Sequence, residues 1–292
     1  MKFIRSIFIP WARGLNPWSK RLTWAKSLLC VSLLSACTSY AQSDRVHVAH
    51  CYRTCPQSSG GAEQQIVVHH LYAAVIEQES NLAEWVAYRV LGDSLGVASL
   101  LPRTWHDDPL LGTGSNNLEI DADVQLVQPD LSNAQDREYR VNEVQINAAD
   151  RGRLAPMTSF AGTPYWNDLN NMSNMAPLPT DLRVGSWARL EQAINALASQ
   201  VGDAYVVSGP LLPSQDPIAN PSAYFKVVLA SNRLSAFIFP GSLRQNDRYC
   251  AQLSTLEEVE AATNIDLFPV ISSGELTLLG SLDVELGCGE SE

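Results

Sequence analysis

The residues best suited to chemistry lie in the segment NAADRGRLAPMTSF, residues 147–160. An acid, two arginines and a glycine follow one another there, from Asp150 through Arg151 and Gly152 to Arg153. Such a mixture is typical of loops that hold a phosphate or a metal ion. A hydrolase would need a general base in this loop, but arginine stays protonated in proteins. Arg153 is therefore a poor candidate for that base.

A second polar loop is predicted over residues 100–117, because proline, glycine and asparagine interrupt it. It carries Arg103, Trp105 and His106. The remaining candidate ligands, His69 and His70, fall inside an apolar run, and we interpret them as ordinary strand residues rather than ligands.

The elements around these loops predict one α+β domain over residues 63–292. Apolar residues at helical spacing predict a helix from Leu182 to Val201, and a second helix is expected over residues 254–264. Runs rich in β-branched and aromatic residues predict strands at 64–79, 82–91, 137–147, 203–210, 222–230 and 234–241.

The N-terminal region resembles an export signal. Residues 1–36 contain six basic residues and no acid, and they end in a short apolar run that cannot span a bilayer. The sequence LSAC, which ends at Cys37, resembles a bacterial lipobox and predicts lipidation of that cysteine. Cleavage after Ala41 of a plain secreted protein is the alternative. Residues 37–62 are expected to form a tether or N-terminal arm.

The charge of the exported part limits its long-range interactions. All 31 acidic residues but only 14 of the 20 basic residues follow residue 36, which leaves a formal net charge of −17. Such a protein repels nucleic acid at long range, so any binding of a polyanion must come from a local arginine cluster. The alternative is an acidic, salt-adapted surface with no bearing on partners.

The cysteine count also fits export. Beyond Cys37 the chain has an even number of cysteines, as expected for disulfides in an oxidising compartment: Cys51, Cys55, Cys250 and Cys288. Three pairings are possible, and the economical one joins Cys51 to Cys55 and Cys250 to Cys288. A zinc site is the rival interpretation of these cysteines.

Most of the chain after residue 50 resembles the DNA/RNA non-specific endonucleases, the sugar-non-specific nucleases with a ββα-metal site. The resemblance implies a His-Me finger-like fold, with a central antiparallel sheet flanked by helices. The motifs that carry it occur in the family's order: CYRTCP, AEWVAYRV, RTWHDDP, DRGRLAP, NNMSNMAPLPTDLRVGSWARLE, VVSGP and PSAYFKVV.

The family's active loop has the sequence D-R-G-H, in which the histidine is the general base. Asp150, Arg151 and Gly152 match this motif, whereas Arg153 stands at the histidine position. Asn174 matches a further asparagine of the site. By this resemblance Arg151, Arg153 and Asn174 are the catalytic-loop candidates.

The resemblance also implies a single Mg²⁺ ion, held by an asparagine on the following helix. Arg183 stands at that position, Glu191 matches a glutamate that supports the metal's water shell, and Arg103 matches a phosphate-side arginine. Arginine offers no acceptor atom to a cation. The arginines at positions 103, 151, 153 and 183 are instead expected to converge on a phosphate.

Three functions follow from this pattern. The first is an exported pseudo-nuclease that needs no metal and binds nucleic acid or another phosphate-bearing ligand. The second is an active Mg²⁺-dependent nuclease with another base, for which His106 is the nearest candidate. The third is an envelope scaffold whose site has decayed and whose arginines pair with neighbouring acids.

Overall fold

A computed structural model describes residues 47–58, 66–76, 83–111, 151–211, 221–276 and 278–289. Cys37, Asp150 and the strand expected at 137–147 lie outside the described residues. The strands are β1 Gln57–Ser58, β2 Ile66–Val68, β3 Ala73–Ile76, β4 Ala83–Leu91, β5 Arg151–Arg153, β6 Met175–Pro177, β7 Asp203–Leu211, β8 Ala223–Ala230, β9 Arg233–Pro240, β10 Leu253–Ser254, β11 Ile265–Asp266 and β12 Gly280–Ser281.

An antiparallel sheet forms the centre of the fold. Its strand order is β10-β9-β8-β7-β4-β3-β2, and β12 adds to β9 in parallel. The three strands predicted between residues 203 and 241 are confirmed as β7, β8 and β9, which pair in sequence order. Together with the helices described below, this sheet confirms the α+β fold class.

The sheet separates two apolar cores, because successive side chains of a strand point to opposite faces. In β8, Tyr224 and Val228 belong to one core, and Phe225 and Val227 belong to the other. Lys226 lies between Tyr224 and Val228 in this alternation and is fully buried.

The first core is covered by a long helical segment that confirms the helix predicted from Leu182 to Val201. It begins with the short helix α1, Thr180–Leu182, continues as a π-helical segment, Arg183–Trp187, and ends with α2, Ala188–Val201. The backbone kinks at Gly185, whose φ and ψ are −98° and −114°. A Cβ atom at Gly185 would lie 2.5 Å from the carbonyl oxygen of Gln245, so only glycine fits there.

The second core is covered by α3, Leu256–Thr263, and by the N-terminal described residues. Thr255 caps α3 by accepting a hydrogen bond from the Glu258 backbone N–H, and the Glu258 side chain accepts one from the Thr255 N–H. The short helix α4, Ser273–Leu276, follows. No helix within the described ranges is long and apolar enough to cross a lipid bilayer.

Both expected disulfides are present. Cys51 bonds to Cys55 at the N-terminal end of the described chain, and Cys250 bonds to Cys288 near its C-terminal end. Residues 47–58 were expected to belong to an arm, but they contribute β1, which pairs with β11. The compact unit accordingly starts at His47.

The single strand predicted over residues 64–79 is wrong. The segment contains two antiparallel strands, β2 and β3, with His69 and His70 in the turn between them. The apolar run continues through Leu71 and Tyr72, which are both buried, so hydrophobicity alone gave no sign of a turn.

Candidate functional site

The arginine loop and the long helical segment form a ββα unit. Strand β5 pairs with β6 so that Arg151 faces Pro177, Gly152 faces Ala176 and Arg153 faces Met175. A Cβ atom at Gly152 would lie 2.4 Å from a Leu178 methyl carbon, so the hairpin needs glycine at this position. Because α1 begins at Thr180, just after β6, the arginine strand is tied directly to the start of the helix.

Arg153 is held by an aromatic ring and an amide. Its guanidinium carbon lies 4.3 Å from the centroid of the Trp105 ring, a cation–π contact. Its Nη2 also donates a hydrogen bond to Oδ1 of Asn170. Both contacts are made with neutral groups. They fix the direction of the guanidinium.

A chain of amides extends from Arg153 to His106. The Asn170 Nδ2 atom donates to the Pro102 carbonyl oxygen at 3.2 Å and to Asn167 Oδ1 at 3.1 Å. The Asn167 Nδ2 atom in turn lies 3.4 Å from Nε2 of His106. The loop that carries Arg103 and His106 is thereby joined to the Arg153 strand.

Sequence reasoning had given no role to Trp105, Asn167 or Asn170. Each of them reaches the site through a contact with a residue distant in sequence, as Trp105 does with Arg153. A single sequence contains no signal for such a contact. Only the position of Trp105 between Arg103 and His106 pointed toward it.

Asn174 is buried and directs its amide toward the backbone. Its Oδ1 accepts from the Ala155 N–H at 2.8 Å, and its Nδ2 donates to the carbonyl oxygens of Ala155 and Leu169, both at 3.0 Å. These bonds hold the segment after Arg153 against the segment before Asn170. The observed contacts of Asn174 are structural, and its catalytic role stays a prediction.

Arg183 begins the π-helical segment, one helical turn after Thr180. Its Nη2 lies 3.5 Å from Thr180 Oγ1, at the outer limit of a hydrogen bond. The side chain is half-buried. The convergence of Arg183 with Arg103, Arg151 and Arg153 stays a prediction.

Glu191, on α2, forms a buried ion pair. Its Oε1 accepts from the Lys226 Nζ atom at 2.9 Å, and this ammonium also lies 3.9 Å from the centroid of the Trp187 ring. Burial raises the pKa of Glu191, and the Lys226 charge opposes that rise. Burial also lowers the pKa of Lys226. The lysine fixes the carboxylate on the helix face toward the sheet.

Arg183, which we predict to stand at the family's metal position, does not fit Mg²⁺. This ion takes oxygen ligands, and the Arg183 guanidinium offers none and repels a cation. The part of the chain that the structure describes also contains no group of three or more histidine, cysteine, aspartate or glutamate side chains that could hold a metal.

Behind the site, a buried polar network links three loops. His69 Nε2 lies 2.7 Å from Oδ2 of Asp108, which also accepts a hydrogen bond from Ser173, and the Ser173 hydroxyl lies 2.7 Å from that of Tyr72. Burial would raise the pKa of Asp108, but its hydrogen bonds outweigh burial and hold that pKa below the ordinary value. His69 is therefore a structural residue of the turn.

Comparison with known proteins gives a consistent picture. Residues 52–273 match the family described as DNA/RNA non-specific endonuclease. A nuclease of Serratia marcescens is 31% identical over 259 residues, which cover 82% of this chain and 87% of that protein. The mitochondrial nuclease EXOG of Danio rerio is 23% identical over an alignment that covers 76% of this chain and 66% of that protein.

The fold has a solved counterpart. A chain in the crystal structure of an EndoG/EndoGI complex superposes with a TM-score of 0.55 at 17% identity. The match covers 77% of this chain and 97% of that chain. At this identity the likeness concerns the fold alone, and it confirms the expected nuclease fold.

Proposed function

The chain belongs to the DNA/RNA non-specific endonuclease family, and from that premise we propose that it binds phosphodiesters without cleaving them. The observation that carries the proposal is the oriented guanidinium of Arg153 on the Trp105 ring. Our motif comparison assigns Arg153 to the position of the family's general base. A base must accept a proton, and an arginine that stays protonated does not.

The second substitution supports the same proposal. Arg183 stands at the motif position of the metal-binding asparagine, so a fixed positive charge takes the place of the cation. A guanidinium fork binds phosphate oxygens in a bidentate manner, a geometry that suits binding without metal. Loss of base and metal together removes two large contributions to phosphodiester hydrolysis.

We further propose that the protein acts outside the cytoplasm. Its two disulfides fit a protein that folds in an oxidising compartment. The basic and apolar N-terminal residues suit an export signal, and LSAC suits lipidation of Cys37, with retention in an outer membrane where the host has one. Secretion after cleavage at Ala41 is the alternative.

One observation favours a second candidate function. The chain of hydrogen-bonded amides through Asn167 and Asn170 joins His106 to Arg153. A histidine has a pKa suited to a general base. An active Mg²⁺-dependent nuclease with His106 as its base is therefore the rival.

Hydrolysis by purified residues 42–292 distinguishes these functions. The protein is incubated with DNA and with RNA in Mg²⁺, in Mn²⁺ and in a chelator, beside the Serratia marcescens nuclease as a positive control. We expect no metal-dependent product above background. Metal-dependent cleavage that the change His106→Ala abolishes would overturn the proposal in favour of the rival.

Binding of a short oligonucleotide distinguishes the proposed binder from a scaffold. We expect Arg153→Met to weaken binding, because the change removes a cation and keeps much of its apolar stem. Arg233→Met is the matched control, since Arg233 pairs with Glu285 at the edge of the sheet. Equal affinities for the wild type and both variants would contradict the assignment of Arg153.

A further inference from the structure

Two exposed aromatic rings contact the short helix that also contacts Arg153. The rings of His70 and Tyr165 are stacked almost parallel, with centroids 4.2 Å apart and planes inclined by 4°. Both are open to solvent: the side chain of His70 is 61% exposed, and Tyr165 is 47% exposed. We call this pair the aromatic platform.

The platform is held in place by a carboxylate. Asp168 Oδ2 lies 2.7 Å from Nδ1 of His70 and accepts a second hydrogen bond from the His70 backbone N–H at 3.2 Å. The ring of Tyr165 covers one face of the histidine ring. The pair is thus ordered before any ligand arrives.

The element that anchors the platform also anchors the arginine. Asp168 lies in the 3₁₀ helix Trp166–Asn170, and Tyr165 directly precedes that helix. Asn170, the last residue of the helix, accepts the hydrogen bond from Arg153. One short helix therefore fixes an exposed ring pair and a phosphate-binding candidate close together.

We propose that the aromatic platform stacks an unpaired nucleobase next to a phosphate held by Arg153, so that the ligand is single-stranded nucleic acid. This proposal rests on the proposed function and adds the class of nucleic acid. Base stacking on protein rings tolerates any sequence, because every base has a π face. The bases of a duplex are covered by their neighbours and are not available to the platform.

The net negative charge of the protein makes stacking an important source of affinity in this proposal. A formal charge of −17 after residue 36 repels a polyanion at long range, and a few arginines must overcome that repulsion. Stacking does not depend on the net charge. It adds affinity for the base that the acidic surface does not oppose.

The test compares three labelled ligands by fluorescence anisotropy in a chelator: a short thymidylate oligonucleotide, an abasic oligonucleotide with the same number of phosphates, and a duplex. We expect the thymidylate strand to bind most tightly. The change Tyr165→Ala should weaken its binding by about 5- to 150-fold, the range for loss of one stacked base. The same change should leave binding of the abasic strand unaltered.

Two variants serve as controls. Tyr165→Phe keeps the ring and should bind as the wild type does, which separates stacking from any effect of the hydroxyl. Tyr205→Ala removes a ring from the opposite face of the sheet, where Tyr205 contacts Tyr52 at 5.3 Å, and should not change affinity. Thermal melting of each variant establishes that it is folded.

The outcomes separate this proposal from the one on which it rests. If the thymidylate and abasic strands bind equally and Tyr165→Ala changes neither, the platform is refuted while phosphate binding stands. If duplex binds more tightly than single strand, the assignment to unpaired bases is wrong. If none of the three ligands binds, both proposals fail.

Discussion

Asn170 is the residue at which the hydrogen bonds of the site meet. It accepts from Arg153 and donates to Pro102 and Asn167, so it joins the arginine strand to the loop of Arg103 and His106. Stacking on Trp105 and the hydrogen bond to Asn170 give the Arg153 guanidinium a defined direction. At the scale of single residues, this arrangement supports the proposed binding of an anion.

The double change Arg153→His and Arg183→Asn should restore binding of a divalent ion. It returns a side-chain oxygen to the metal position, and Glu191 is still held on the helix by Lys226. Calorimetric titration with Mn²⁺ and Mg²⁺ measures the gain. The control is Arg153→His alone, which should bind no metal because Arg183 remains. A double variant without metal affinity would show that the site differs from the family's at further positions.

The change Lys226→Met should destabilise the fold by about 3–5 kcal/mol, because it leaves the buried Glu191 without a counter-charge. Removing the ammonium raises the pKa of Glu191 further. The charged carboxylate then destabilises the folded state above its unfolded pKa, and protonation relieves the penalty as the pH falls.

Denaturant unfolding of this variant should therefore show a larger loss of stability at about pH 8 than at about pH 5. The double variant Lys226→Met with Glu191→Leu serves as the control and should recover much of the loss. A loss that does not depend on pH would contradict the uncompensated charge as its cause.

At the scale of elements, the π-helical segment Arg183–Trp187 joins Arg183 to α2, the helix that carries Glu191. Its kink exists because Gly185 lies against the backbone of Gln245. Any side chain at Gly185 must push the two backbones apart and so displace Arg183.

The change Gly185→Ala should accordingly cost about 1–3 kcal/mol of stability, the range for an overpacked site. Gly274→Ala is the matched control, because a Cβ atom there meets nothing within 4 Å. The denaturation midpoints of the two variants provide the measurement. Equal midpoints would mean that the helical segment adapts to the extra methyl group without strain.

Local sequence patterns predicted the elements well where apolar residues recur at helical spacing or where β-branched and aromatic residues form a run. The helix from Leu182 to Val201 and the strands β7 to β9 were found this way. The turn at His69 was missed because the two histidines stand within a run that is apolar on both sides. The contacts that define the site, from Trp105 and Asn170 to Arg153, depend on chain folding that local patterns do not encode.

At the scale of the whole molecule, the net negative charge limits how the protein can bind the proposed ligand. Thirteen of the 14 basic residues after residue 36 are arginines, and Lys226 is buried in an ion pair. A strongly acidic protein that binds a polyanion must therefore do so through a few arginines. In the proposed function, these arginines recognise a phosphate locally, and the net charge provides no long-range attraction to nucleic acid.

Lipidation of Cys37 is the prediction that concerns cellular placement. Metabolic labelling with a palmitate analogue should tag the wild-type protein. The variant Cys37→Ser should carry no label, because LSAC is the lipobox candidate. Cys250→Ser is the control, since that cysteine is committed to a disulfide. Label that persists on Cys37→Ser would refute the anchor and favour cleavage after Ala41.

One measurement tests the central claim most directly: the fluorescence anisotropy of an end-labelled single-stranded oligonucleotide mixed with residues 42–292. The anisotropy is recorded first in a chelator and then with Mg²⁺ at matched ionic strength. The same sample reports binding through the anisotropy rise and cleavage through its decay. We predict measurable binding without metal, the same affinity with metal, and no decay. Binding that requires Mg²⁺, or an anisotropy that decays once Mg²⁺ is present, would contradict the account that arginines have replaced both the base and the metal.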